Sequence, residues 1–323
     1  NLRMRWLSFQ KEGILNGIKS IVGFKMNDQF GKGISFEGVL VNEKGDTVTV
    51  FHPLKFGIGN FSFTPAAGEK YKALVKTAGG EQLQKDLPVA FNSGYVMHLE
   101  HVSNGQIQVA VSKAGTTDNV KDELFLLVHT RNVIKAALSA GIQNGTCTFM
   151  IEDTLPGDGI SHFTVFNEQR QPVCERLYFK RPAQTLQVKA ATDQTDYAFR
   201  KKINVDITSS TEKGTATSAN MSMAVYRIDS LNIIDPETIN NYLLLTADLS
   251  GSVESPEYYF ENFSDTVNIA LDNLMLTQGW RKFKWENILT SKKSTISFLP
   301  EINGHIVTGK LTSTPPGLPL KYI

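Results

Sequence analysis

The stretch ISFEGVLVNEKGDTVTVF, residues 34–51, carries the pattern that decides the fold. Ile34, Phe36 and Leu40 occupy alternate positions, so their side chains share one face of an extended strand. The polar segment 42–46 contains a glycine and separates this run from a second β-type run. The stretch therefore predicts a β-hairpin that turns one face toward a core.

The same pattern recurs along the first two thirds of the chain. Between residues 18 and 101 it gives about seven short β-type runs, the number and spacing of an immunoglobulin-like sandwich. We therefore predict one antiparallel β-sandwich at residues 1–103 and a second at 104–182. Within the second, residues 123–129 are almost continuously apolar, which predicts a strand buried on both faces, whereas residues 160–166 alternate.

The third predicted unit, residues 183–302, combines strands with helices. Runs at 186–189, 203–207 and 221–226 predict the strands of another sandwich. The hydrophobic period then changes from two residues to that of a helix, which predicts a two-helix insertion at about residues 235–289. The fold class is therefore all-β, with tandem immunoglobulin-like antiparallel sandwiches and a helical insertion in the third.

The first predicted helix begins at Asp235, a capping residue that precedes a proline, and the second begins at Ser264 or Asp265. The residues predicted to face a core are Ile239, Tyr242, Leu243 and Thr246 in the first helix and Val267, Leu271, Leu274 and Met275 in the second. Beyond this insertion, β-type runs near residues 296 and 306 predict that a further β domain begins at 303–323.

The composition excludes several classes of protein. Thirty-three basic and 32 acidic residues give a net charge of +1, so we expect no nucleic acid partner. The apolar runs are shorter than the roughly 20 residues of a membrane-spanning helix. Cys147 and Cys174 are too few for a disulfide scaffold, and we expect two buried thiols, although the sequence leaves open whether they pair.

Several segments resemble one family of bacterial proteins. The most specific are LLLTADLSG at residues 243–251, ESPEYYF at 254–260 and LDNLMLTQGWR at 271–281, and the hairpin at 42–48 is similar too. They resemble the macroglobulin-like domains of large cell-envelope proteins of Bacteroidota. The resemblance implies tandem sandwiches, a periplasmic or outer-membrane location and other envelope proteins as partners. In longer relatives such domains precede a carboxypeptidase-regulatory-like sandwich and a TonB-receptor plug-like domain.

The sequence offers few groups with catalytic or metal-binding chemistry. Segment 79–82 reads Gly-Gly-Glu-Gln and has glycine where the thioester of alpha-2-macroglobulins has cysteine, so we interpret it as a turn. His98 and His101 are three apart on a predicted strand and point to opposite faces. Neither catalytic residues nor a cofactor is predicted. Two weaker motifs remain. Asp158, Ser161 and His162 are the residue types of a hydrolytic triad, but they lie within five positions of one another in the sequence. Oxygen ligands from loops suit calcium, and the candidate carboxylates are Asp153, Asp158, Asp193 and Asp196.

The aromatic residues near the end of the insertion are the candidate interaction surface. Its members are Trp280, Arg281, Phe283, Trp285, Tyr258 and Tyr259. These rings either dock the helix onto a sandwich, the interpretation we favour, or form an exposed platform for a protein or a sugar. The predicted function is a non-enzymatic structural and protein-interaction module. The alternatives are a carbohydrate-binding module and macroglobulin-like protease trapping without a thioester, for which residues 211–218 offer a loose segment.

Overall fold

The computed structural model describes residues 2–7, 13–102, 104–115, 123–225, 238–261, 263–279 and 285–289. Antiparallel β-sheets are the main regular structure of these residues, and helices are few. The chain divides into two units, residues 1–282 and 283–323, and in the second the structure describes one short helix. The predicted all-β class is confirmed.

The first sandwich contains a three-stranded and a four-stranded sheet. Its strands are β1 (Arg3–Leu7), β2 (Ser20–Asn27), β3 (Phe36–Asn42), β4 (Thr47–Phe51), β5 (Ile58–Phe63), β6 (Tyr71–Thr77) and β7 (Gln82–Asp86). The sheet orders are β1-β2-β5 and β4-β3-β6-β7. The predicted hairpin is β3–β4, in which Phe36 and Leu40 are buried, and the ring of Phe24 packs on those of Phe36 and Phe51 in the core.

The second sandwich again pairs a three-stranded sheet with a four-stranded one. Its strands are β8 (Gly94–Val102), β9 (Gln106–Ala114), β10 (Glu123–Thr130), β11 (Val133–Gly141), β12 (Thr146–Glu152), β13 (Gly159–Phe166) and β14 (Pro172–Lys180). The sheet orders are β12-β9-β8 and β11-β10-β13-β14. Strand β8 pairs with β9 along its whole length, so this sandwich begins near residue 94 and not at the predicted residue 104.

Strands β10 and β13 exchange the roles that the sequence predicted for them. Burial alternates along β10, where the side chain of Phe125 is 37% exposed, whereas every residue of β13 is buried. One face of β13 lies in the sandwich core through Phe163 and Val165. The other face carries Ile160, which packs against helices from a distant part of the chain.

The third predicted unit is represented by one hairpin. It consists of β15 (Leu186–Thr192) and β16 (Val205–Thr211), which pair antiparallel and are mostly exposed. Residues 221–225, predicted as a strand, lie outside any sheet, and residue 226 lies outside the described residues. Within the described residues, this part of the chain therefore has two sheet strands and no core of its own.

In the described part of the chain, four helices follow the hairpin: α1 (Ile239–Leu244), α2 (Tyr258–Glu261), α3 (Asp265–Thr277) and α4 (Trp285–Leu289), with a 3₁₀ turn at Thr246–Asp248 after α1. Ser264 caps α3 by accepting a hydrogen bond from the backbone N–H of Val267, as the sequence predicted. The cap of α1 is Thr238, so the predicted start at Asp235, which lies outside the described residues, is wrong. The predicted face of α1 is also wrong, because Ile239, Tyr242 and Leu243 are exposed.

Residues 238–261 and 263–279 are called the helical clamp, because they pack on both sandwiches. Helix α3 contacts β2 and β5 of the first sandwich and β14 of the second. A single apolar cluster includes Ile58 of β5, Ile160, Leu177 and Phe179 of the second sandwich, and Leu245, Leu249, Tyr259, Ala270, Leu271, Leu274 and Met275 of the clamp. The predicted insertion therefore packs on the two preceding domains.

Close approach of α3 to β2 requires a glycine. A Cβ atom on Gly23 would lie 3.0 Å from both Leu276 Cγ and Thr277 Cγ2. Nearby, the side-chain amide of Asn60 donates a hydrogen bond to Asn273 Oδ1 on α3. Glu254 of the clamp accepts a 2.7 Å hydrogen bond from the backbone N–H of Gly33, so the first sandwich is held by polar as well as apolar contacts.

Loss of apolar contacts at α3 is expected to destabilise the two sandwiches and the helical clamp that packs on them. Leu274 is 1% exposed, so Leu274→Ala removes buried methyl groups and should lower the free energy of unfolding, measured in urea, by about 2–5 kcal/mol. Ile269 lies on the same helix and is 53% exposed, so Ile269→Ala is the matched control and should change it little. Equal losses in the two variants would contradict the burial described here.

Candidate interaction site

Tyr259, a member of the candidate interaction surface, is part of the apolar cluster. Its side chain is 1% exposed, and its ring lies 6.1 Å from that of Phe56. Burial raises the pKa of the Tyr259 phenol well above its ordinary value, with smaller contributions from Tyr258 and Glu254. A ring in this position holds the clamp to the sandwiches and cannot stack on a sugar.

Tyr258 is half-buried and already has aromatic and cationic neighbours. Its ring meets that of Phe56 edge to face at a centroid distance of 5.3 Å. The Lys55 ammonium lies 5.0 Å from the centroid of the Tyr258 ring. These contacts come from the segment between β4 and β5, so Tyr258 joins the clamp to the first sandwich.

The remaining predicted surface residues are mostly beyond the described parts of the chain. Trp280, Arg281 and Phe283 lie outside the described residues, so their place in an aromatic platform stays a prediction. Trp285 is half-buried at the start of α4, in the second unit.

A groove lies between α3 and the second sandwich, at the point where β8 and β14 meet. We call this cavity of about 390 Å³ the clamp groove. Leu177, Leu271 and Met275 line it with apolar side chains, and His101 and Tyr178 bring polar groups to it. An apolar lining with a few polar groups is the usual composition of a site that accepts a small ligand or a partner side chain.

Three polar side chains of the clamp groove, His101, Tyr178 and Asp272, already have side-chain partners. The Tyr178 hydroxyl and His101 Nε2 are 2.8 Å apart. Arg176 Nη2 donates to both carboxylate oxygens of Asp272, at 2.8 and 2.9 Å. Burial, reinforced by the charges of Asp153 and Asp272, raises the pKa of Tyr178 to about 12, so the phenol stays neutral and remains a hydrogen-bond donor at neutral pH.

Two cations beside the groove are engaged in holding loops. Lys180 Nζ donates to the backbone carbonyls of Asp153 and Thr154, at 2.9 and 3.2 Å. Arg181 donates to the carbonyl of Tyr259 and to Asn268 Oδ1, the latter at 3.3 Å. Partial burial lowers the pKa of Arg181. Both side chains therefore stabilise the clamp and the loop before β13.

His98 and His101 point in different directions, as predicted. His98 and His101 lie on β8, and their side chains bond at different places, His98 Nε2 with the carbonyl of Lys19 at 3.1 Å and His101 with Tyr178. Segment 79–82 forms the predicted turn, in which the N–H of Gly80 donates to the carbonyl of Thr77.

The other candidate groups are also dispersed. Ser161 exchanges a 2.7 Å hydrogen bond with Thr130 and faces the opposite side of β13 from His162. Asp193 accepts hydrogen bonds from Tyr197 and Asn204, the latter at 3.0 Å. No group of three His, Cys, Asp or Glu side chains is placed to hold a metal ion within the described ranges.

Cys147 and Cys174 are thiols buried in the core of the second sandwich, as predicted. Burial raises the pKa of Cys147, which keeps it a neutral thiol with little nucleophilic character.

Comparison with known proteins adds no relative: the sequence matches no family model and no curated protein. Among the described helices, none combines the length and hydropathy needed to cross a bilayer.

The raised pKa of Tyr178 predicts a pH dependence of stability. Its folded pKa of about 12 lies above the ordinary value of 10.0, so its contribution is complete below pH 10.0 and is lost as the pH rises toward 12. We expect Tyr178→Phe to reduce the fall in unfolding free energy across this range. Tyr242→Phe is the control, because Tyr242 is 52% exposed, and it should leave the fall unchanged. Indistinguishable curves for the two variants would contradict the assignment.

Proposed function

We propose that this chain is a non-enzymatic structural and protein-interaction module of a larger protein of the bacterial envelope, periplasmic or associated with the outer membrane. The observation that carries the proposal is the apolar cluster shared by the helical clamp and both sandwiches. A shared core of this kind fixes two domains relative to each other, which is the property of a support and not of a hinged enzyme.

The segments that resemble macroglobulin-like envelope proteins support this proposal. Residues 243–251, 254–260 and 271–279 lie in the helical clamp. The buried members of these segments include Leu245, Leu249, Tyr259, Leu271 and Leu274, all of which belong to the shared cluster. The residues that carry the resemblance thus include residues that hold the two sandwiches together. A similar domain interface is therefore expected in other proteins that contain these segments.

The edge strand β11 is the surface best suited to a protein partner. Among the described residues it pairs only with β10, and its other edge carries backbone groups that a further strand can pair with. Val133 and Ile134 are 58% and 64% exposed. A nine-residue edge strand with apolar side chains suits a partner that adds an extended segment to the sheet.

Photo-crosslinking in intact cells tests the proposal. A photoreactive amino acid at Ile134 of the full-length protein should capture an envelope protein that mass spectrometry identifies. Val50, on β4, has the same exposed fraction of 64% and is the matched control position, at which this product should be absent. Cell fractionation should place the protein in the envelope. Equal capture at both positions, a cytoplasmic protein, or hydrolysis of peptide, ester or glycoside substrates by the purified chain would overturn the proposal.

A further inference from the structure

Two buried histidines lie side by side beneath the first part of the helical clamp. His129 of β10 and His162 of β13 are cross-strand partners on the face of the sheet that the clamp covers. Their rings are parallel within 2°, with centroids 4.7 Å apart. The side chains are 4% and 8% exposed, so both imidazoles are largely removed from water.

The charged groups around this pair come from two neighbouring elements. The 3₁₀ turn of the clamp contributes Asp248, which is 9% exposed and acts electrostatically on His129. The β10–β11 turn contributes Arg131, whose guanidinium donates a 3.3 Å hydrogen bond to the carbonyl of Leu243 in α1. A cavity of about 230 Å³ is lined by Arg131, His162, Leu243 and Asp248 together with Asn132, Ile160 and Ala247.

On the neighbouring described strands, apolar side chains lie opposite the two histidines. Strand β11 places Ile134 opposite His129, and β14 places Leu177 opposite His162. Helix α1 has the sequence INNYLL, and its titratable side chain, Tyr242, is 52% exposed. Among the described residues that line the cavity, Asp248 carries a carboxylate and Arg131 a guanidinium.

Burial favours the neutral imidazole at His129. Burial lowers the pKa of His129, and the charge of Asp248 opposes that effect without reversing it. Two imidazolium rings in parallel contact would repel each other. Proton uptake therefore favours a state in which the rings regain water.

We propose that His129 and His162 form an acid-sensitive latch that holds residues 239–248 on the second sandwich. The neutral pair keeps α1 and the 3₁₀ turn packed on β13, and protonation releases them. Release stays local because α1 has only six residues, too few to persist alone, and its Ile239 side chain is already 70% exposed. Helix α3 buries most of its length and remains in place.

The direction of the pH effect follows from linkage. The pKa of His129 is lower in the folded state than the ordinary value of 6.5, so the released state binds more protons below that pH. The closed state is at full stability above pH 6.5 and loses stability as the pH falls from 6.5 toward the folded pKa. Each unit of pKa difference changes the opening equilibrium about tenfold.

Hydrogen exchange at about pH 7.5 and about pH 5.5 tests the latch, with rates expressed as protection factors that remove the intrinsic pH dependence. In the unsubstituted protein we expect protection of residues 239–249 to fall about tenfold on acidification, with protection of α3 retained. The double variant His129→Phe/His162→Phe keeps two stacked rings that cannot take a proton, and should abolish the fall. His52→Phe, at an exposed position, is the control and should preserve it.

Three results would overturn the proposal: unchanged protection in the unsubstituted protein, an equal fall in the double variant, or a parallel fall across α3. Circular dichroism establishes whether the double variant folds. If the double variant does not fold, an NMR pH titration of the His129 and His162 ring resonances in the unsubstituted protein tests the latch instead. Titration of these rings together with the loss of protection supports the latch, and titration without that loss contradicts it.

Discussion

The architecture depends on one burial requirement: the outer face of the second sandwich is apolar near β13 and β14 and needs a cover. A sandwich sheet normally buries one face and leaves the other in water. Here Ile160, Leu177 and Phe179 point away from the sandwich core, and the helical clamp covers them. Because the same helices contact β2 and β5, covering this face also attaches the first sandwich. The helices that cover the second sandwich therefore also form the interface between the two domains.

Short sequence patterns correctly predict the elements that depend only on interactions between residues close together in the chain. The β3–β4 hairpin and the start of α3 at Ser264 follow from two-residue alternation and from capping chemistry, both of which are short-range. Helix α1 was predicted with the wrong face, because six residues span less than two turns and give little periodicity. Its buried residue is Asn241, a polar side chain that a hydrophobic pattern does not select.

Features that depend on distant segments could not be predicted in this way. The exchange of roles between β10 and β13 arises because the clamp, about eighty residues after β13 in the chain, buries the outer face of β13 along its length but leaves Phe125 of β10 exposed. The clamp groove needs β8, β14 and α3 together, and the histidine pair needs a cross-strand register that no single segment encodes. Tyr258 and Tyr259 are neighbouring residues of the same type, so the sequence does not distinguish them. Tyr259 is nevertheless buried in the shared cluster, whereas Tyr258 is half-buried beside it.

The connection between the two sandwiches has a mechanical consequence. Phe91 is still hydrogen-bonded to Ile14 and Asn16 of the first sandwich, and β8 begins at Gly94, so only Asn92 and Ser93 lie between them. Two residues extend by about 7 Å at most, and Asn92 is itself held by a 2.7 Å hydrogen bond from Asn16. Such a joint has almost no slack, so tension applied to one sandwich is transmitted to the next before any strand is pulled from its sheet.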